Sequence, residues 1–582
     1  MKTINLISLF ALTGVLAVCA LEKKEGRVHG GAGGEKQGYG FPFLLFLIYG
    51  LIAIRCIGLG EIPGGFNQDG AMGAVDALAL ARHGTDRFGT WLPAHFKGWG
   101  YGQMSVFLSY LTVPFIWLFG FDSLTVRLPM LVLSLAGACA AYGIAKRLIS
   151  SGAAVCVLAF LAVNPWHFMQ SRWALDCNAF PHLFLLGLYF LTQGAAGRPE
   201  NESALTCKGL LSRGSRKLYL SMVFFGLCMY AYGVSFYMVP FFLLAACVIL
   251  LVRRRIVMVQ AFVCALVYFG ISFPIYGTML INFMKWDTVS LPFTTMPYFA
   301  DSVRSGDIVF FSEHPLKQLI SNLNALIRVV FLQKPDLIWN AIDDFGTMYQ
   351  CSMPVIFAGF GISVYQAVRN KDPDKRLSFL LLLVYWSCSV FTGLCINNVN
   401  VNRINIIFYS HILFAGIAVY YLAKEWRRAA AVVVLVYCLQ SLLFFHQYFT
   451  SWAQRMEDMF YKDFLEAAEY AGQARCDVYY ITPDTPVYGA SVQRNEILTM
   501  FALEIDAEYY RGETDSLHGK GISCGNEVPY QRRFRYKDPT AEEIYGESNA
   551  GFVVMDWQRS WFDEERFEVR RFGDYIVALP RR

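Results

Sequence analysis

A single carboxylate, Asp69, stands in the run Phe66, Asn67, Gln68, Asp69, Gly70, just ahead of a pattern in which Ala71, Val75, Leu78 and Ala79 recur at helical spacing. An acid in that place can do one of two things. It can cap the helix by accepting from unpaired N–H groups at its start, or it can take a proton from an attacking hydroxyl as a general base. Asp76, two turns on, reads as part of the solvated face of the same helix. A second group follows the run Asn164, Pro165, Trp166, His167 and includes Arg172 and Asp176. If that stretch is one helix, Arg172 and Asp176 form an i, i+4 ion pair. A charge pair at the edge of the hydrocarbon is costly enough to point to a site instead. His167 offers an acid, a phosphate contact or an interfacial side chain. Lys97, Arg127 and Arg403 add three cations, and the long stretch 276–350 adds Trp286, Asp287, Asp343, Asp344 and Tyr349. The three cations ask for an anionic partner, either a phosphate or carboxylates of the chain itself; with a phosphate, the set would hold a base for a nucleophile and cations for a departing anion.

These residues have to be positioned by a membrane protein. In 582 residues, 55% are hydrophobic and only 16% charged, and the mean hydropathy is +0.39, well beyond an ordinary soluble enzyme. The net charge of +5 sits in short clusters between apolar runs, a distribution that sets membrane orientation and excludes nucleic acid as the partner. Most of the 15 cysteines fall inside apolar runs, where a thiol is a small hydrophobe, and no metal-ligand spacing occurs. Cys476 and Cys524 lie in the polar C-terminal part, where export would leave a disulfide open to them.

About eleven runs approach the roughly 20 residues that a bilayer requires. They fall at 41–59, 124–145, 152–168, 178–193, 218–232, 235–252, 256–276, 351–368, 377–395, 404–423 and 429–447. Ahead of them, 1–20 is signal-like or an extra apolar segment, and the rest of 1–40 reads as a linker. Basic clusters occupy alternate connections, so by the positive-inside rule the segments 60–123 and 276–350, the turn at Arg172 and Asp176, the stretch 396–403 and everything after 449 face outward. The expected division is a transmembrane domain at 41–449 and an extracytoplasmic α/β domain at 450–582. In the latter the pattern gives helices at 464–474 and 491–503, strands at 478–481 and 552–555, and a hairpin over 567–579 turning at Gly573-Asp574.

In order and spacing, several of these motifs resemble the GT-C superfamily of membrane glycosyltransferases. They are Asp69 in the first outer loop, Trp91-Leu92-Pro93, Tyr101, Phe119-Gly120, Val126-Arg127-Leu128-Pro129, Asn164-Pro165-Trp166-His167, Ser171-Arg172 and Asn402-Arg403-Ile404-Asn405-Ile406. The likeness is to the dolichyl-phosphate-mannose protein mannosyltransferases (glycosyltransferase family 39) and to the aminoarabinose transferase of lipid A. It implies an α-helical polytopic GT-C fold and inverting transfer of a sugar from a polyprenyl-phosphate donor to a lipid, glycan or protein acceptor. Asp69 would be the general base and Asp176 a second carboxylate, with Lys97, Arg127, His167, Arg172, Tyr349 and Arg403 on the substrate. The mannosyltransferases carry adjacent acids where this chain has Gln68-Asp69, and the aminoarabinose type carries Lys-Pro-Pro where it has Lys97-Gly98-Trp99. A phosphate leaving group asks little of a metal. A divalent cation stays open, and Asp343-Asp344 is a pair with no third ligand in view. A transporter or flippase for such a lipid is the competing reading, but it would place ionisable residues at mid-bilayer, where these runs are nearly free of charge.

Overall fold

The computed structural model describes residues 40–98, 102–197, 207–300, 309, 313–334, 336–514 and 528–581. The segment at 1–39, Tyr101 and Cys524 lie outside the described residues. Two compact units emerge. One comprises the stretch up to Leu59, Met130–Tyr276 and Ser302–His446; the other comprises Gly60–Pro129, Gly277–Asp301 and Gln447–Arg582.

Among the described residues, the regular elements of the first unit are all helices. Each of the eleven apolar runs lies on a helix, because a chain in hydrocarbon must satisfy its backbone groups internally. Seven helices among the described residues are long and apolar enough to span a membrane, and a bent pair makes eight. The others fall short for local reasons. Gly40–Cys56 has 17 residues, Asp176–Gly194 carries Asp176, Asn178 and His182, and Arg213–Ala231 opens on three basic residues. The bent pair is Ser151–Val163 with Pro165–Ser171, turned by 64°. Pro165 has no N–H to continue the helix and pushes the residue before it out of the helical region. Asn164 is accordingly extended, and its side chain starts the second helix by accepting from the His167 amide at 2.9 Å. Close helix packing depends on small residues: a Cβ at Gly359 would lie 1.8 Å from the Phe414 carbonyl oxygen.

The second unit joins the first polar loop to the C-terminal segment. Its five-stranded mixed sheet runs Phe534–Arg535, Val478–Ile481, Ala550–Met555, Tyr575–Pro580, Phe567–Phe572. The first three strands are parallel and the last two join antiparallel. Phe552, Val554, Ile576 and Ala578 form its buried face, with Tyr480 and Phe562. The helices Lys462–Gly472 and Val492–Ala502 and the hairpin at Gly573 stand where the pattern puts them. The two-residue edge strand Phe534–Arg535 is too short for any periodicity to announce. The first loop adds a helix, Gln68–His83, that buries Ala71, Val75, Leu78 and Ala79, and a further apolar helix, Phe107–Phe119. Its backbone also pairs with the segment 277–301, the Ala94 amide donating to Thr295 O at 2.8 Å and the Thr295 amide to Leu92 O at 3.0 Å.

Candidate functional site

In the second unit the helix Gln68–His83 is capped by Asn67, whose side chain accepts from the Gly70 amide at 3.1 Å. Capping therefore does not account for Asp69, which stands half-buried in the first turn. The turn before it is gripped from two sides. Arg127, buried, donates to the carbonyls of Pro63 at 3.0 Å and Gly65 at 2.8 Å, and its guanidinium lies 5.1 Å from the Phe66 ring. On the other side the Phe66 amide donates to Phe460 O at 2.6 Å. The Tyr461 hydroxyl donates to Gln68 Oε1 at 2.9 Å. Burial raises the Tyr461 phenol; nearby Arg494 opposes that shift, while the charges of Tyr488 and Asp69 add to it. The residue beside Asp69, where the resembling family carries an acid, is thus held by a tyrosine almost 400 positions away.

Gly65 is what lets that turn close. Its φ is +78°, and a Cβ there would lie 2.2 Å from Phe460 O. Gly65→Ala is expected to cost roughly 1–2 kcal/mol for the left-handed backbone alone, with the clash in addition. The checks are the melting temperature of the purified variant and the loss of any reaction that depends on Asp69.

Further along the same helix Asp76 is fully buried and not part of a solvated face. It pairs with Arg87 through a short guanidinium contact and accepts the Arg87 amide at 3.1 Å. Burial carries the Asp76 carboxyl up to about 6 against the opposing pull of Arg87. Arg87 also donates to the Lys97 carbonyl at 2.9 Å, so the pair supports the strand Phe96–Lys97, on which the Lys97 side chain is exposed. At the end of the helix His83 lies between two acids, Nε2 at 3.0 Å from Asp506 Oδ1 and Nδ1 at 3.2 Å from Glu508 Oε1. Burial alone would raise Asp506, but His83, the Glu508 amide and Arg82 hold it below the usual range. The ligand-type atoms of His83, Asp506 and Glu508 lie within 4.8 Å of one another, which makes them a candidate cation cluster. The carboxylates, however, meet opposite nitrogens of one ring. An imidazole gives a metal one nitrogen, so the arrangement fits a histidine hydrogen-bonded between two acids better than a chelate.

In the first unit Arg172 ends the short helix Pro165–Ser171 and Asp176 opens the next, so their spacing is not that of one helix. Arg172 is fully buried and donates to the carbonyls of Arg55 at 2.7 Å and Gly58 at 3.1 Å. Asp176 is half-buried and accepts the Cys177 amide at 2.7 Å. His167 is fully buried and not interfacial. Its Nδ1 is 2.9 Å from Arg55, its Nε2 is 3.1 Å from the Tyr409 hydroxyl, and that hydroxyl is 2.7 Å from His182 Nδ1. Because a guanidinium only donates, Nδ1 of His167 accepts, His167 Nε2 donates to Tyr409, and Tyr409 donates to His182. Tyr349 is buried with a φ of +61° and donates to Val163 O at 2.6 Å, against the bent pair. Arg403 is half-buried on the helix Val401–Ile404 and donates to Asn397 O at 2.8 Å. Asp343 and Asp344 are exposed. The sequence-level candidates thus divide, with Asp69, Lys97 and Arg127 in one unit and Asp176, His167, Arg172, Tyr349 and Arg403 in the other. The partners that sequence reasoning missed, Arg87, Tyr461 and Asp506, share no motif or periodicity with the residues they hold.

No family model and no curated protein sequence matches the chain. Among solved structures it is similar to ArnT from Cupriavidus metallidurans. Against the form bound to undecaprenyl phosphate the TM-score is 0.54 at 12% identity, over 93% of this chain and 98% of that one. The apo form gives 0.52 over 92% and 97%. A looser likeness, 0.48 at 13% identity, is to the Archaeoglobus fulgidus oligosaccharyltransferase, of whose length the chain spans 58%. The chain therefore has the α-helical, multi-span fold of ArnT, with a small C-terminal α/β domain.

Proposed function

We propose that the protein is a glycosyltransferase that moves a sugar from a polyprenyl-phosphate donor to an acceptor hydroxyl at the outer face of the membrane, with inversion. The observation that carries this reading is Asp69, half-buried in the first turn of a helix that Asn67 already caps. The fold it shares with ArnT, a protein solved with undecaprenyl phosphate, supports the choice of donor.

Asp69 takes the proton of the acceptor hydroxyl as its oxygen attacks the anomeric carbon, and the bond from that carbon to the phosphate oxygen breaks. Cations stabilise the phosphate that leaves. Lys97 and Arg127 are the candidate donor-binding cations in the unit that carries Asp69, and Arg127 also keeps the Pro63–Gly65 turn in place. Asp176, the second candidate carboxylate, and His167, Arg172, Tyr349 and Arg403 belong to the other unit, where His167, Arg172 and Tyr349 are enclosed with their polar atoms on protein partners. No step is routed through a metal.

Purification of the full chain in native lipid particles, followed by mass spectrometry, is expected to recover a polyprenyl phosphate or its sugar-linked form. Adding a labelled polyprenyl-phosphate sugar should give labelled acceptor and free polyprenyl phosphate. Movement of the intact donor between leaflets with no transfer product would identify a flippase and overturn the enzyme reading.

A further inference from the structure

The helix Pro315–Leu326, with its π-helical continuation Ile327–Phe331, has three faces in place of two. One is turned inward. Asn322, buried, donates from Nδ2 to Leu394 O at 2.8 Å and Ile396 O at 2.6 Å, and Gln318 Nε2 reaches Asn322 Oδ1 at 3.0 Å. Leu326, also buried, packs over Gly393. A second face is apolar and exposed: Leu316, Leu319, Ile320, Leu323 and Ile327 follow helical spacing and are 38–71% exposed. The third is polar and exposed: Lys317, Ser321, Asn324 and Arg328, again at helical spacing.

An amphipathic helix on a water-soluble surface buries its leucines and exposes its amides. Here the amide of Asn322 is buried, and Leu316, Leu319 and Leu323 are outside. The reversal has a physical reason in where Asn322 binds. Leu394 lies in the last turn of the apolar span Pro373–Cys395, and Ile396 follows it. The carbonyls at a helix end have no partner within the helix, and a span leaves the hydrocarbon where it ends. The three-faced helix is therefore fastened at the level where lipid gives way to water. Its inward face meets the bundle, and its apolar and basic polar faces are both exposed.

We propose that the helix Pro315–Leu326 lies in the bilayer interface, with its leucine stripe among the acyl chains, and that Lys317 and Arg328 engage the phosphates of anionic phospholipids. Glu313, just ahead of the helix, is the acidic residue nearest its start. The proposal does not depend on the catalytic reading. It does give the long loop a second role, because the chain after the helix leads to Gln333. The Gln333 Oε1 accepts from the Thr347 amide at 2.9 Å and the Met348 amide at 2.7 Å, immediately before Tyr349. Lipid contact at the helix is thereby tied to the segment that holds Tyr349.

The test uses the full-length protein with a photo-crosslinking benzoylphenylalanine at Ile320, at Ser321 or at Val434, in nanodiscs of phosphatidylcholine with or without phosphatidylglycerol. Val434 is an exposed residue of the span Arg427–Met459 and serves as the positive control for lipid adducts, while the melting temperature of each variant reports on folding. Lipid adducts at Ile320 at least about fivefold above those at Ser321 are expected. Equal labelling at the two positions, or an Ile320 crosslink to a second protein chain, overturns the interfacial placement. If the Ile320 variant does not melt as the wild type does, Leu316 takes its place. In mixed nanodiscs, Lys317→Gln and Arg328→Gln should each lower the phosphatidylglycerol share of adducts by up to about fivefold. An unchanged share rules out the headgroup contact.

Discussion

Asp69→Asn is expected to leave the protein folded and to lower sugar transfer by about 10²- to 10⁴-fold, the range a positioned general base supplies. Asparagine keeps the shape of the side chain and removes only the basic oxygen. The helix start does not rest on it, because Asn67 makes the cap. The charge it contributes near the helix N-terminus is worth about 0.3–1 kcal/mol, too little to unfold the unit. Rate and stability should therefore separate. The measurement is transfer in proteoliposomes beside a melting curve of the same sample. Wild-type turnover in the variant would remove Asp69 from the chemistry, whereas loss of both activity and melting temperature would make it structural. Gly65→Ala gives the useful contrast, since it moves the turn that carries Asp69 without touching the carboxylate.

Arg87→Ala should be among the most destabilising single changes in the second unit, by about 1 kcal/mol at pH 7 and growing by up to about 1.4 kcal/mol per pH unit toward about 3–5 kcal/mol in alkali. It strands Asp76, which is fully buried, and removes the support that Arg87 gives the Lys97 carbonyl. The pH dependence follows from the raised carboxyl. In the fold Asp76 titrates at about 6, against 3.8 for an unperturbed aspartate. Between those values the folded state holds an extra proton, so the contribution of Asp76 to stability falls as pH rises from about 4 to 6 and is level above. Without Arg87 the folded carboxyl moves higher still. The deficit of the variant is therefore expected to be small near pH 4 and to open above about pH 6. Joint replacement, Asp76→Leu with Arg87→Leu, should recover most of the loss by removing both charges. Melting temperatures across pH check all three statements, and a deficit that does not vary with pH would mean that Asp76 carries no charge in the fold.

Hydropathy and charge placement were enough to mark the apolar runs, and each proves helical because hydrocarbon permits a spanning chain little else. Alternation and turn chemistry likewise marked Val478–Ile481 and the hairpin at Gly573, whose hydrogen bonds are set by residues close in sequence. The first-loop helix was readable from Ala71, Val75, Leu78 and Ala79 for the same reason.

What only the tertiary structure decided is which groups face each other across long separations. Asp76 reads as solvated from its helix position, yet a loop eleven residues on folds Arg87 over it. Asn67 and not Asp69 caps the helix, a choice of one or two residues made by backbone dihedrals. Gln68 meets Tyr461, His83 meets Asp506 and His167 meets Tyr409. No local pattern encodes these pairs, because each depends on the packing of segments hundreds of residues apart. The sequence by itself therefore determined a membrane-spanning helical chain with an α/β appendage and a short set of polar candidates. Packing determined which of those candidates are enclosed and which are half-buried or exposed, because burial and pairing are properties of the assembled neighbourhood and not of the residue.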